Sequence, residues 1–184
     1  LAMPRIRPIK EIRVSGRDIN KCEALALELS QELMITTKVT EVEDAVRGVD
    51  IVCIATHSPD PILKGEWINP GVHVNSVGLN FKGRELDDET VRKALVAVES
   101  REAALAPSPA GANDLVWPIA NEVVPTDHTI VEIGELILGI RKGRVSPNDI
   151  TLYKSVGVAV QDAVAAGLAI TVARQQGIGT EVCM

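Results

Sequence analysis

The chain has 184 residues, room for one domain with a sizeable core, and only 2% aromatics among its 46% apolar residues, so that core must be aliphatic. A net charge of −6, a pI near 5.1 and scattered basic residues argue against nucleic acid or an anionic membrane as partner. The stretch closest to a transmembrane span, 156–173, holds Gln161 and Asp162 and reads instead as a buried helix.

Residues 1–8, with two prolines, read as the frayed end of a helix plus a linker. A short strand is predicted over 11–15, with Gly16 at the turn and Asp18 as helix N-cap. Cys22, Leu25, Ala26 and Leu29 recur at i, i+3, i+4 and i+7, predicting an amphipathic helix over 19–32. A β-branched strand at 35–39 follows. Thr40 and Glu43 then fit a capping box for a short helix ending near Gly48. Residues 50–56, DIVCIAT, have the continuous apolar character of a strand buried on both faces, with Cys53 in the core.

The stretch 71–84, GVHVNSVGLNFKGR, is read as a strand with Val72, Val74 and Ser76 on one face and His73, Asn75 and Val77 on the other. Gly78 ends it and would let backbone approach a flat ligand closely, while Asn80 points toward the chemistry. An ordinary buried strand and turn is the alternative. A helix over 87–94, a strand over 95–99 and a short helix at 101–106 come next. Residues 107–119, PSPAGANDLVWPI, are too irregular to assign. A helix over 130–138, a strand over 150–153 and a long helix over 155–175 complete the chain. That last helix is apolar on nearly every face, so it should be sandwiched between other elements, more than this chain supplies. The alternation predicts an α/β fold with a Rossmann-like parallel sheet and flanking helices.

Cys22, Cys53 and Cys183 lack CxxC spacing and read as reduced thiols of a cytoplasmic protein. His57, His73 and His128 lack ligand spacing, so no metal is expected. His57 follows a buried strand and either reaches a cofactor face or is an ordinary loop histidine. Arg17 stands just past a strand end, where a dinucleotide-binding unit reads the adenosine ribose; an arginine there suits the 2′-phosphate of NADP. A solvated surface arginine is the other reading. Ser155 either caps the long helix or faces a polar ligand. G-x-G-x-x-G is absent before Ile12, so the pyrophosphate cradle is not among these residues.

Seven segments carry a resemblance: VSGRD, DIVCIATHS, LKGEWINPGVHVNSVG, RELDDETV, VESREAAL, EIGELILG and ITLYKSVGVAVQDAVAAGLAI. In this order they resemble the ornithine cyclodeaminase/μ-crystallin family from about residue 9 to residue 175. The resemblance implies a nicotinamide cofactor, NADP with NAD as the alternative, a small amino- or imino-acid substrate and a homodimer when intact. It implies that Ser15, Gly16 and Arg17 read the adenosine ribose and that Ala55, Thr56 and His57 pass beneath the cofactor. It places Val77 and Gly78 beside the nicotinamide and makes Ser155 a cofactor contact. Asn80 falls where cyclodeaminases place an acid/base aspartate. Asparagine takes up no proton in that role. The family's Glu-x-Gly-Asp segment is replaced here by PSPAGAND.

The resemblance therefore implies an NAD(P)-dependent reductase of an imino acid or cyclic ketimine. Ornithine cyclodeaminase and a non-catalytic NADP-binding protein are the alternatives. It also implies that the first Rossmann strand, its glycine turn and the substrate half lie upstream of Leu1. Residues 1–150 would be a partial dinucleotide-binding domain, and 151–184 a strand and helix returning toward the substrate domain. A piece of a longer enzyme, a degraded product and one half of a split protein are the three forms this allows.

Overall fold

The computed structural model describes residues 2–78, 80–125, 128, 130–180 and 182; Cys183 lies outside them. After a single-turn helix α1 (Met3–Ile6), strand β1 (Glu11–Val14) pairs in parallel with β2 (Thr36–Val39), Glu11 opposite Thr36. Helix α2 (Ile19–Leu33) crosses between them, capped by Asp18, whose carboxylate accepts from the Lys21 amide. Cys22 and Ala26 on this helix pack with Val14 into a small core of their own, backed by Ile12, Leu29 and Val39.

The main sheet is also parallel. It contains β3 (Ile51–Ile54), β4 (His73–Ser76), β5 (Ala94–Val98), β6 (Ile130–Glu132) and β7 (Ile150–Lys154), in the order β3-β4-β7-β5-β6. Helices α3 (Val42–Val46), α4 (Asp88–Lys93), α5 (Arg101–Ala104), α6 (Asn113–Ala120) and α7 (Ile133–Ile137) lie along the connections. Val74, Val96, Val98 and Leu152 are fully buried at its centre, each removing apolar surface worth roughly 1.5–3 kcal/mol. This is the expected Rossmann-like α/β architecture. The two sheets do not join: β1 pairs with β2 and β3 pairs with β4, so each keeps an open edge.

Several sequence expectations are corrected. Thr40 caps no helix: its amide donates to the Val14 carbonyl at 3.0 Å, extending the β1–β2 ladder by one residue. Helix α3 starts at Val42 without a side-chain cap, and Thr40 Oγ1 is buried without a partner. The irregular stretch contains α6, which tolerates Pro118 and buries Leu115 completely. The segment 130–138 divides into β6, where Ile130 and Val131 pair with Val96 and Ala97, and then α7. Cys53 is exposed rather than core, because β3 turns that face toward a cavity.

The last helix, α8 (Ala159–Gln176), begins four residues later than its apolar run, after Gly157 at φ +76° breaks the backbone. It is not sandwiched within this chain. None of its residues is buried, and Val160, Val164, Leu168 and Ile170 are all more than half exposed. No helix of the described residues is long and apolar enough to cross a membrane.

Candidate functional site

Parallel strands present their carboxyl ends along one edge, the usual ligand side of an open α/β sheet. Here the Val77 amide donates to the Ile54 carbonyl at 2.9 Å, and the Ser155 amide donates to the Ser76 carbonyl at 2.9 Å. These bonds set the ends of β3, β4 and β7 side by side. Ala55, Thr56 and His57 thereby continue into Val77 and Gly78, and then into Ser155.

A buried polar node lies beneath these ends. Lys154 Nζ donates to Asp114 Oδ2 at 2.8 Å, to Ser76 Oγ at 3.0 Å and to the Gly78 carbonyl at 2.6 Å, with its side chain fully buried. Glu85, also fully buried, lies 3.8 Å from Lys154. Its Oε1 accepts from the Thr56 amide at 2.9 Å and from the Thr56 hydroxyl. Ser76 Oγ donates to Glu85 Oε2 at 3.3 Å. Asp114 Oδ1 accepts from the Glu85 and Leu86 amides at 2.7 and 2.8 Å. One ammonium and two carboxylates thus bind three strand ends, the loop after β4 and the start of α6 into one unit. Every charged group there is hydrogen-bonded, which burial of charge demands.

Gly78 belongs to the same packing. A Cβ on it would stand 2.2 Å from Glu85 Oε1 and 2.3 Å from the Thr56 carbonyl. The close approach that requires glycine is therefore to Glu85 and Thr56. Beside it, Val77 is 52% exposed, an apolar surface at the strand ends. The Asn80 side-chain amide donates to the His57 carbonyl at 2.9 Å, and its oxygen accepts from the Lys82 amide at 2.8 Å. It clips the loop after β4 to the loop after β3.

A cavity of about 1020 Å³ opens between the two sheets. Ser15, Gly16 and Arg17 line one wall, and Ala55, Thr56 and His57 line the other together with the whole free edge of β3. Arg17 is exposed, with no ion pair or hydrogen bond of its guanidinium among the described residues. Val77, Gly78, Asn80 and Ser155 lie outside this cavity, along the sheet edge.

Ser155 does not cap α8. Its hydroxyl hydrogen-bonds Glu99 Oε1 and accepts from the Gly157 amide at 3.2 Å. Glu99, just past β5, has its other oxygen buried without a hydrogen-bond partner. Burial alone would raise its pKa, but the Ser155 hydroxyl and backbone amides hold it below the ordinary carboxylate value. Burial, followed by the Glu99 carboxylate, raises the neighbouring Tyr153 phenol.

Sequence reasoning missed Glu85, Glu99, Asp114 and Lys154. One signal was present for Lys154: it shares a strand face with Leu152, two positions earlier, and that face is core. Glu99 directly follows the alternately buried strand β5.

The parallel sheet, its crossovers and the polar ligand edge define a Rossmann-like α/β protein. Residues 1–176 match the ornithine cyclodeaminase/mu-crystallin family, and the chain belongs to that family. It is 37% identical over 160 residues to mouse ketimine reductase mu-crystallin, covering 86% of this chain and 46% of that protein. With the Delta(1)-pyrroline-2-carboxylate reductase of Bacillus cereus it shares 33% identity over 181 residues, 96% of this chain and 54% of the relative. The structure of Thermococcus litoralis Delta(1)-pyrroline-2-carboxylate reductase, in complex with NADH and L-proline, superposes with a TM-score of 0.91 at 37% identity. That match covers 97% of this chain and 55% of the other. The chain therefore spans about half the length of the relatives it matches.

Proposed function

We propose that this chain is the cofactor-binding part of a cytoplasmic, NADP-preferring reductase of an imino acid or cyclic ketimine, active as a homodimer. The observation that carries the reading is the ligand side of the strands: Arg17 and Thr56 line opposite walls of the cavity, and from Thr56 the strand ends run through Val77 to Ser155. The resemblance to two reductases of carbon–nitrogen double bonds supports the reaction type.

The residues fit a dinucleotide. Arg17 meets the 2′-phosphate from the rim of the cavity, and exposed Val77 offers a flat apolar surface to a ring. The nicotinamide, when bound, supplies the hydride that reduces the imine carbon. Val77 excludes water on its side, and the node around Lys154 keeps the strand ends fixed. Asn80 orients substrate or water and transfers no proton, since its amide has no titratable group. That point disfavours ornithine cyclodeaminase. A further parallel strand, supplied from outside residues 1–184, fills the slot between β1 and β3. Residues 151–184 place β7 in the sheet and lead α8 toward the substrate half.

The test is an assay of the intact enzyme with pyrroline-2-carboxylate and related cyclic imines under NADPH. Turnover of the imine is expected. Proline formation from ornithine without imine reduction would sink the reading. Tight NADPH binding with no turnover of any imine would replace it with a carrier of the cofactor.

A further inference from the structure

A serine hydroxyl has one hydrogen to donate and two lone pairs to accept with. At Ser155 both kinds are partly committed. The ionised Glu99 carboxylate has no proton to give, so the bond between the two must be donated by the Ser155 hydroxyl. One of the serine lone pairs is taken by the Gly157 amide at 3.2 Å. That amide also lies 3.4 Å from Glu99 Oε1, which holds the carboxylate and the serine to one geometry. What is left on the half-exposed Ser155 oxygen, with the Tyr153 phenol beside it, is a single lone pair and no donor of its own.

Glu99 reinforces this polarity. Its second oxygen is buried without a hydrogen bond of its own, and the neighbouring Tyr153 phenol offsets only part of the negative charge beside Ser155. A carbonyl or phosphate oxygen brought to Ser155 would meet an acceptor backed by that charge. An N–H or O–H group would be attracted by both.

We propose that Glu99 is a positioning residue which fixes Ser155 as an acceptor only, so that this end of the ligand edge selects a hydrogen-bond donor. The inference rests on the nicotinamide reading above, under which the donor is the –NH2 of the carboxamide. Glu99 touches neither cofactor nor substrate in this role; it sets which way the serine proton points. The same ring bearing a group that can only accept should be rejected.

The 3-acetylpyridine analogue of NADP is the probe. It keeps the carbonyl of the carboxamide and replaces –NH2 with methyl. Dissociation constants of NADP and the analogue would be measured for the intact enzyme, its Glu99→Leu variant and its Ser155→Ala variant. Loss of one hydrogen bond predicts that the wild type binds the analogue about tenfold more weakly. In Glu99→Leu the serine proton is released to turn toward the analogue carbonyl, and the ratio should fall to about twofold or less. Ser155→Ala should lower the ratio as well. Each ratio is taken within one variant, so a general loss of affinity or stability leaves it readable.

A wild-type ratio near one overturns the inference while leaving the nicotinamide reading intact. So does a tenfold ratio that persists unchanged in Glu99→Leu. Failure of the wild-type protein to bind either dinucleotide overturns the nicotinamide reading, and this inference falls with it.

Discussion

Lys154 has three N–H donors and uses all of them, on Asp114, Ser76 and the Gly78 carbonyl. A lysine so committed holds the strand ends together. Lys154→Met removes one charge from a buried cluster and leaves Glu85 and Asp114 uncompensated. Breaking a buried pair in this way costs about 3–5 kcal/mol, to be read as a loss of that size in urea unfolding of the intact enzyme. Gly78→Ala should also destabilise, by about 1–3 kcal/mol or more, because the new methyl has nowhere to go between Glu85 and Thr56. Arg17→Asp makes the opposite kind of prediction. Fold and stability should persist, since the side chain is exposed, while NADP affinity falls by about 1.5–3 kcal/mol relative to NAD. Equal losses for both cofactors would show that Arg17 reads no 2′-phosphate. The place of Arg17 at the cavity was legible because it depends only on local position after a strand. The Lys154 node was not legible, because its partners come from positions 76, 78, 85 and 114, and no local pattern announces which distant carboxylates will meet a lysine.

Among the elements, those with one dominant local signal were readable and those settled by tertiary pairing were not. The i, i+3, i+4 spacing located α2 within a residue or two, and its Asp18 cap holds at 3.2 Å. Residues 130–138 have an apolar pattern compatible with helix throughout, yet β5 offers a free edge and Ile130 to Glu132 take it as strand. Arg101 then reaches across, with a bidentate pair to Glu135 at 2.6 and 2.9 Å, and ties the start of α5 to α7. The Arg101 hydrogen bonds, helped by the Glu132 amide, pull the Glu135 pKa from 4.5 down to about 2. A depressed folded-state pKa means that the contribution is present above about pH 4.5 and is lost as pH falls toward 2. Thermal midpoints of wild type and Glu135→Gln should therefore differ at neutral pH and converge on acidification across that window. A gap that stays constant down to pH 2 would mean that the ion pair is not its source. Helix α8 poses a different question, since no residue of it is buried. Isolated helices of this length are marginal in water. In residues 1–184 alone, its amides should exchange with solvent far faster than those of β4 and β7, and in the intact enzyme they should become protected. Equal protection in both would show that the helix needs no partner.

At the scale of the molecule, parallel pairing follows from alternating strand and helix signals, and that much of the architecture was legible. The break between β1 and β3 was legible too, but only through the resemblance, since each strand taken alone looks complete. Buried sheet edges want pairing, and the free edge of β3 lines a cavity where it finds none. Residues 1–184 alone should accordingly fail to reduce cyclic imines and fail to bind NADPH at micromolar concentration, as judged by fluorescence titration. Micromolar binding with turnover would overturn the proposed division of labour. The separate small core around Val14, Cys22 and Ala26 carries a consequence of another kind. Arg13 fastens this unit to the rest by donating to the Asp44 and Arg47 carbonyls at 2.7 and 2.8 Å, a grip on backbone that is indifferent to side-chain identity. Arg17, exposed at the tip of this unit, can thus change without transmitting strain to the Lys154 node. Under the cofactor reading proposed above, descent can exchange one dinucleotide for the other at that tip while the far strand ends are inherited untouched.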